Sequence, residues 1–398
     1  MPGPLNGIKI VDLTTVVMGP FATQLLGDMG ADIIKVEPLS GDVMRFANHG
    51  RHRGMSNVFL NLNRNKRSLA LDMKADGGQT IITRLIKEAD VIVSNIRPKS
   101  MARLQLAYED TRQINPKLIY VNCFGFGQSG PYADRAAYDD LIQGMAGVPS
   151  LFEKAYQEAP KYLPSNFCDR VTGLNVVNAV TTALFYRERH GVGQAIEIPM
   201  FETMVQFILG DHLGGYTFDP PEGEIGYARI VNPNRRPFAT KDGFLAILVY
   251  NDKQWAQFLT LIGRSELVGT GIFADQATRG LNIKEVYGFV GEVLTERSTA
   301  EWLALFKTAD FPHAPIEPLE KLLEHEHLTA VNFFEHFDHP SEGPLVTTAI
   351  PSQWSHSKPE ITRHAPRLGE HSAEILRELN FSEAEIEHFL NSGVTHSA

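Results

Sequence analysis

The sequence contains few of the residues that stabilise secreted or metal-binding proteins. Only two cysteines, Cys123 and Cys168, occur in 398 residues, too few for a disulfide framework or, by themselves, for a zinc site. No apolar run approaches the roughly 18 residues that a membrane-spanning helix needs, and MPGPLNGIKIVDL has no basic leader before an apolar core. We therefore expect a soluble, cytoplasmic protein without metal or membrane partners.

Basic residues are also in deficit. The chain has 37 Lys and Arg against 47 Asp and Glu, a formal net charge of −10, which argues against nonspecific binding to nucleic acid. A phosphate-bearing ligand must then be held by a few local basic side chains. The 43% hydrophobic content is sufficient for a large core, and the length of 398 residues is typical of about two domains.

Strand and helix patterns alternate along the first half of the chain. Apolar strands are predicted at residues 8–14, 32–37, 68–73, 90–96 and 118–126. Helical patterns separate them, which indicates a mostly parallel sheet covered on both faces. Near Pro220 the pattern changes to a Pro/Gly-rich connection, a predicted hairpin and amphipathic helices. We expect a smaller α+β domain at 220–326.

The motif GFGQSG, residues 125–130, matches a dinucleotide-binding fingerprint and follows a predicted strand. That fingerprint also requires a helix to begin at once, so that its amino terminus meets the pyrophosphate. PYADR follows instead, which is typical of a loop. The sequence therefore disfavours nicotinamide or flavin binding and predicts a glycine turn, either plain or close to a ligand.

The stretch SNFCDRVTGLNVV places Asp169 before a long helical pattern. Asp is a common N-cap, so the simplest interpretation is a cap on a helix that begins at Arg170. A helix amino terminus also favours an ionised carboxylate, so a nucleophilic role is compatible with capping. If residues 167–169 are extended, Cys168 points away from the ligand side and is a small buried residue.

Several segments together resemble the class III CoA-transferases of the CaiB/BaiF type. They are KIVDLTTVVMGPFATQLLGDMGADIIKVE, NRNKRSLALDMK, NIRPKSMARL, GFGQSGPYADRAAYDDLIQ, DRVTGLNVVNAVTTALFYRERHGVGQAIEIPMFE and PRLGEHSAEILRELNFSEAEI. The resemblance implies an α/β fold with a Rossmann-like, mostly parallel sheet in a large domain. Residues 1–219 and 327–398 form that domain, 220–326 form the small domain, and two subunits interlock as a homodimer.

The resemblance also implies the reaction. It makes Asp169 the nucleophile of a transferase that moves CoA from an acyl-CoA to a free carboxylic acid. Attack by a carboxylate on a thioester gives a mixed anhydride, which remains reactive enough for CoA to recapture the acyl group. The family needs acyl-CoA and a small carboxylic acid as substrates, and no tightly bound cofactor or metal.

By the resemblance, Arg97 and Arg103 match residues that contact the adenosine-phosphate end of CoA, and Leu71, Asp72, Met73 and Lys74 match the segment that lines the adenine and phosphates. These residues, with Asn95 and Ile96, lie at the predicted carboxyl ends of successive strands, where open α/β sheets bind ligands. Val17 and Met18 after the first strand, and Tyr138 and Asp139, are expected to line the same pocket. The alternative for each Lys or Arg is an ordinary solvated charge.

The chain departs from the formyl-CoA transferase members at several positions. It has Thr15, Val17 and Met18 where they carry His, Gln and Ala, and Pro38 where they carry Arg. Their glycine-rich loop has no counterpart near residues 229–237. Oxalate or formate is therefore not expected as the acyl group.

Two arginines, Arg235 and Arg236, stand where that loop is missing. We predict that one of them binds the second carboxylate of a dicarboxylic acceptor, and the alternative is pairing with acids at an interface.

Two other functions of the protein stay open. An α-methylacyl-CoA racemase has the same fold but uses a histidine where this chain has Tyr138; a CoA-binding protein without turnover would need an inert Asp169.

Overall fold

The structure is a computed structural model that describes residues 3–397. Its internal contacts divide the chain into two compact units. The large unit comprises the described residues up to Ala146, Leu163–Gln206 and the described residues from His327 on. The small unit comprises Gly147–Tyr162 and Phe207–Glu326.

Twelve strands form three sheets within the described residues. In chain order they are β1 (Lys9–Leu13), β2 (Asp32–Glu37), β3 (Lys66–Leu71), β4 (Val91–Ser94), β5 (Ile119–Phe124), β6 (Gln194–Pro199), β7 (Phe238–Ala239), β8 (Phe244–Ile247), β9 (His313–Pro315), β10 (Phe334–His339), β11 (Gly343–Thr348) and β12 (Thr395–His396).

Sixteen α-helices accompany them in the same part of the chain. They are α1 (Met18–Asp28), α2 (Asn57–Leu60), α3 (Asp76–Glu88), α4 (Pro98–Arg103), α5 (Tyr108–Ile114), α6 (Asp139–Met145), α7 (Val148–Tyr156), α8 (Phe167–His190), α9 (Met200–His212), α10 (Asp252–Leu261), α11 (Gln276–Leu281), α12 (Ile283–Leu294), α13 (Thr299–Phe306), α14 (Glu326–Ala330), α15 (Ser372–Glu378) and α16 (Glu383–Asn391).

The large unit is built on a seven-stranded sheet of order β12-β3-β2-β1-β4-β5-β6. Strands β1 to β6 are parallel, and β12 is antiparallel to β3. The predicted α/β fold class is confirmed, and the five predicted strands lie within two residues of β1 to β5 at each end. Because β1 lies between β2 and β4, the strand order reverses there, and ligands bind at such a switch point in open sheets.

Strands β1 to β5 are buried at nearly every position, as expected when both faces of a sheet are covered. On one face, α3, α15 and α16 contribute Ile82, Leu85, Ile375 and Phe389 to a buried cluster. Helices α1 and α8 pack against each other. Gly173 of α8 allows this close approach, because an added Cβ would lie 2.9 Å from the carbonyl oxygen of Met18.

Helix α8 begins earlier than the sequence predicts. It starts at Phe167 and ends before Gly191, which has the left-handed conformation that suits glycine at a helix end. The prediction that Asp169 caps a helix beginning at Arg170 is therefore wrong, because Asp169 already lies in the first turn. The idea that residues 167–169 are extended is wrong for the same reason.

The small unit contains the three-stranded antiparallel sheet β7-β8-β9 and helices α10 to α13. The predicted hairpin is present as β7 and β8. Aromatic side chains dominate its core, including Trp255, Phe258, Trp302 and Phe306. None of the helices in residues 3–397 has both the length and the hydropathy required to cross a membrane.

Candidate active site

A cavity of about 460 Å³ opens at the carboxyl ends of β1, β4 and β5. The loop after β1, helix α4, the loop after β5 and the first turn of α8 form its wall. Six of the predicted site residues line it, namely Met18, Asn95, Arg97, Arg103, Tyr138 and Asp169. The structure thus brings together residues as distant in the chain as Met18 and Asp169 at the switch point of the sheet.

The other predicted residues lie outside the wall of this cavity. Val17 is buried beside Met18, and Ile96 packs against the core. Leu71 ends β3 and Asp72 to Lys74 follow it; β3 is separated from β1 by β2. There, the Asp72 side chain accepts a hydrogen bond from the Lys74 backbone at 3.0 Å. Asp139 is buried but contacts Asp169 directly.

Basic side chains are concentrated around α4. Arg97 precedes this helix and Arg103 ends it. Neither has a carboxylate partner among the described residues, although Arg103 Nε donates to the Lys99 carbonyl at 3.1 Å. Exposed guanidinium groups without carboxylate partners are suited to bind phosphate oxygens in bidentate fashion. This is the local positive charge that a phosphate-bearing ligand requires in a chain of net charge −10.

Sequence reasoning did not select two further basic residues of the cavity wall, Lys99 and Arg135. Lys99 Nζ pairs with Asp134 Oδ2 at 2.7 Å, and the Arg135 guanidinium lies 3.8 Å from the centre of the Tyr132 ring. Both belong to segments that carry the family resemblance, and this resemblance is the signal from which they could have been predicted. Because both already have partners, they are less free to bind a ligand than Arg97.

Asp169 is the buried acid of the cavity wall, with 8% of its surface exposed. Burial and the neighbouring Asp139 carboxylate together raise the pKa of Asp169 to about 7. The Arg170 guanidinium and the Met18 backbone act in the opposite direction. The carboxyl group is therefore poised near neutrality, which is typical of a functional group rather than of a helix cap.

Asp139 supplies the cap that α8 lacks. Its Oδ1 accepts the Asp169 backbone N–H at 2.9 Å, and its Oδ2 accepts from Gln143 Nε2 at 2.7 Å. Gln143 in turn donates to the Leu163 carbonyl at 3.2 Å. A residue of α6 thus satisfies a free N–H of the first turn of α8 and fixes Asp169 in place.

Other nucleophiles are disfavoured at this site. Cys168 is fully buried, and burial together with Asp139 and Asp169 raises the pKa of its thiol to about 12. Burial also raises the pKa of the Cys123 thiol far above neutrality. Both remain protonated at pH 7, whereas the thiolate is the reactive form. Among the described residues no histidine lines the cavity.

The GFGQSG segment is a loop, as predicted, and no helix follows it until Asp139. Two of its backbone N–H groups donate to carboxylates of the chain itself. Gly127 donates to Glu202 Oε1 at 2.9 Å, and Gln128 donates to Glu197 Oε1 at 2.7 Å. At Gly125 an added Cβ would lie 2.2 Å from the Ala137 side chain. The glycine here allows the loop to pack closely at the cavity.

Arg235 and Arg236 lie in the small unit, just before β7. Both are exposed, and neither forms an ion pair with another described residue. Their backbone N–H groups donate to the carbonyls of Asn232 and Asn234, so the turn that carries them is ordered by its own hydrogen bonds. Their predicted role in binding an acceptor stays a prediction.

The environment of Asp169 predicts a pH dependence. If the ionised carboxylate is the reactive form, kcat/KM falls about tenfold per pH unit below an apparent pKa near that of Asp169, which is about 7. Asp139→Asn removes the adjacent negative charge and should move this acidic limb to lower pH. A pH profile from 5 to 9 measures the shift.

Asp140 offers a matched control, because it is the next acidic residue of α6 but is exposed. Asp140→Asn should leave the acidic limb where it is. An acidic limb that stays in place in Asp139→Asn would contradict the assignment of Asp169 as the titrating group.

Comparisons with known proteins identify the family. The family model described as CoA-transferase family III matches residues 5–372. A succinyl-CoA:glutarate CoA-transferase of Mus musculus is 32% identical over 395 residues, which cover 98% of this chain and 90% of that protein. A formyl-CoA:oxalate CoA-transferase of Afipia carboxidovorans is 30% identical over 422 residues, covering 99% and 98%. A CaiB/BaiF family protein from Brucella suis has a crystal structure similar to this chain, with TM-score 0.78 and 31% identity over 95% of this chain and 100% of that one.

Proposed function

The chain belongs to CoA-transferase family III, and we propose that its reaction passes through covalent intermediates on Asp169. The observation that carries this proposal is the position of that residue. Asp169 is a nearly buried carboxyl group with a pKa of about 7, in a cavity that also presents the unpaired Arg97. The cavity combines a nucleophile that is shielded from water with a phosphate anchor.

The proposed reaction exchanges acyl bonds at one carboxyl group. A carboxylate oxygen of Asp169 attacks the thioester carbonyl, the C–S bond breaks, and CoA leaves as the thiolate, so that a mixed anhydride remains. The thiolate then attacks the aspartyl carbonyl and releases the donor acid, which leaves CoA bound to Asp169 as a thioester. Each bond that breaks is replaced by another acyl bond, so no water or redox partner is consumed.

The second half of the reaction repeats these steps in reverse order. The acceptor carboxylate attacks the aspartyl thioester and expels CoA thiolate, which gives a second anhydride. The thiolate attacks the acceptor's acyl carbonyl, the new acyl-CoA forms, and Asp169 is regenerated as a carboxylate. Because Asp169 is only 8% exposed, hydrolysis of these activated intermediates is suppressed.

Arg97 and Arg103 are proposed to hold the phosphates of CoA. Each alanine variant should weaken CoA binding by about 1.5–3 kcal/mol, the range for charge-assisted hydrogen bonds. Acyl-pantetheine substrates lack the adenosine diphosphate and should react almost equally with the variants and the wild type. Calorimetric titration with CoA and kinetics with both substrate types measure these effects.

Arg112 provides the control, since it is an exposed arginine of α5 that pairs with Glu109 at 2.8 Å and does not line the cavity. Arg112→Ala should bind CoA as the wild type does. Equal losses with CoA and pantetheine substrates in the Arg97 and Arg103 variants would assign these arginines a structural role instead.

The acceptor is proposed to be a dicarboxylic acid. The similar mouse and Afipia proteins are named for glutarate and oxalate, and the exposed pair Arg235 and Arg236 offers planar forks that suit a second carboxylate. An exchange assay with mono- and dicarboxylic acids of equal length tests the proposal. Arg235→Met or Arg236→Met should raise the acceptor KM selectively for dicarboxylates. If neither variant changes the preference for dicarboxylates over monocarboxylates of equal length, the two arginines do not bind the acceptor.

We further propose that the protein acts in the cytoplasm as an interlocked homodimer, as the resemblance implies. Large apolar side chains on α8 support an interface, because Leu174 is 54% exposed and Phe185 is 61% exposed in the single chain. Light scattering that returned only the 44.3 kDa mass of one chain would contradict the dimer.

A further inference from the structure

The small unit contains a cavity of its own, about 150 Å³ in volume. It lies between α10, α11 and α12, with Trp255, Arg279 and Tyr287 buried beneath it and Arg229 and Tyr250 at its edge. All of its lining residues belong to the small unit. Neither the family resemblance nor the proposed reaction gives these residues a role.

Arg279 is the buried cation of this cavity, with 4% of its surface exposed. Its Nη2 pairs with Asp252 Oδ1, and its guanidinium carbon lies 5.7 Å from the Trp255 ring centre. Within residues 3–397 the other two guanidinium nitrogens have no hydrogen-bond acceptor. Neither of these nitrogens is a fully buried donor without a partner, so both are reached by solvent. Arg279, which lines the cavity, can therefore donate hydrogen bonds to an anion that enters it.

Arg229 adds a second positive charge. Its Nε donates to Tyr287 Oη at 3.1 Å, and its guanidinium carbon lies 5.1 Å from the Tyr250 ring centre. It has no carboxylate partner in the described part of the chain. Two guanidinium groups thus face one cavity. Asp252 and Asp275 both act on Arg279, but no described carboxylate lines the cavity itself.

We infer that this cavity binds a small organic carboxylate with an apolar body. The planar fork of arginine matches a carboxylate in bidentate geometry, and the rings of Tyr250, Trp255 and Tyr287 offer flat apolar walls to the rest of the ligand. A volume of about 150 Å³ is too small for CoA or a nucleotide, since drug-sized ligands occupy pockets of roughly 300 Å³ or more. The site is independent of the transfer reaction proposed above.

Calorimetric titration with benzoate, and separately with inorganic phosphate, tests the inference. We expect saturable benzoate binding to the wild-type protein and binding at least about tenfold weaker in Arg229→Met, which removes the fork at a half-buried position. Arg279→Lys keeps the buried charge but loses the fork and should also weaken binding. Circular dichroism confirms that each variant is folded.

Two matched controls separate this site from others. Arg264 is an exposed arginine of the small unit that lies over Phe289 and pairs with Glu266, so Arg264→Met should bind benzoate normally. Arg97→Ala should also bind it normally, because Arg97 lines the cavity of the large unit. Absence of saturable benzoate binding, unchanged affinity in Arg229→Met, or tighter binding of phosphate than of benzoate would each overturn the inference.

Discussion

Asp169→Asn is expected to reduce CoA transfer by about three orders of magnitude or more, the scale seen when a covalent nucleophile is removed. The amide has nearly the same shape as the carboxylate but cannot form an anhydride. CoA binding should persist, because Arg97 and Arg103 do not contact Asp169. Exchange kinetics and a CoA titration of the same variant measure the two properties separately.

The same substitution should stabilise the fold above neutral pH. The pKa of Asp169 is raised from an ordinary value of 3.8 to about 7 in the folded protein, so the folded state holds the proton over a range in which the unfolded chain has lost it. Stability therefore falls as pH rises from about 4 to 7, by on the order of 2–4 kcal/mol. Asparagine removes this penalty, and its thermal midpoint at pH 8 should exceed that of the wild type.

A loss of activity together with a gain in stability separates chemistry from misfolding. Incubation of the wild type with acyl-CoA and hydroxylamine should convert the activated carboxyl of Asp169 to a hydroxamate, detected by peptide mass spectrometry. Asp140→Asn, the exposed neighbour on α6, should retain both turnover and labelling. Retention of more than a few per cent of turnover by Asp169→Asn would falsify the nucleophile assignment.

The sequence predicted the sheet well because its information is local. A strand such as β2, DIIKVE, shows its apolar run directly, and the carboxyl ends of parallel strands must share one edge. The resemblance implied the role of Asp169, and the structure adds its place in the cavity at that edge. The predicted start of α8 was wrong because the carboxylate that accepts a backbone N–H of its first turn belongs to Asp139, thirty residues earlier. No pattern within one helix can show such a partner.

The burial of charged residues inside the sheet could not be predicted from the sequence either. Lys35 in β2 and Lys66 in β3 have side chains with 0% exposure, although a lysine in a sequence usually indicates a solvated position. Their partners come from other elements and are apparent only when the strands are assembled. The resulting network is hydrogen-bonded to the loop after β1, which lines the cavity of the large unit.

This network holds the loop in an unusual conformation. Asp12 accepts hydrogen bonds from Thr14 Oγ1 at 2.5 Å and Lys66 Nζ at 3.1 Å. Asp42 accepts from Lys35 Nζ at 3.0 Å and from the Val16 backbone at 3.2 Å. Val16 has a φ of 73°, which is strained for a β-branched residue and persists only when its surroundings enforce it.

Lys66→Met is therefore expected to destabilise the protein by about 3–5 kcal/mol, the cost of leaving one partner of a buried ion pair uncompensated. Burial alone would raise the pKa of Asp12, but the ammonium groups of Lys66 and Lys35 lower it below its ordinary range. The stabilisation is therefore present above about pH 4 and is lost at more acid pH.

Lys9→Met is the control, because Lys9 also lies on a strand but its pair with Glu88 is exposed. Exposed pairs contribute about 1 kcal/mol or less. Thermal and urea unfolding at pH 7 measure both variants. If both variants lose an equal and small amount of unfolding free energy, the buried carboxylates are compensated without Lys66. The conformation of the loop at Val16 would then depend on packing alone.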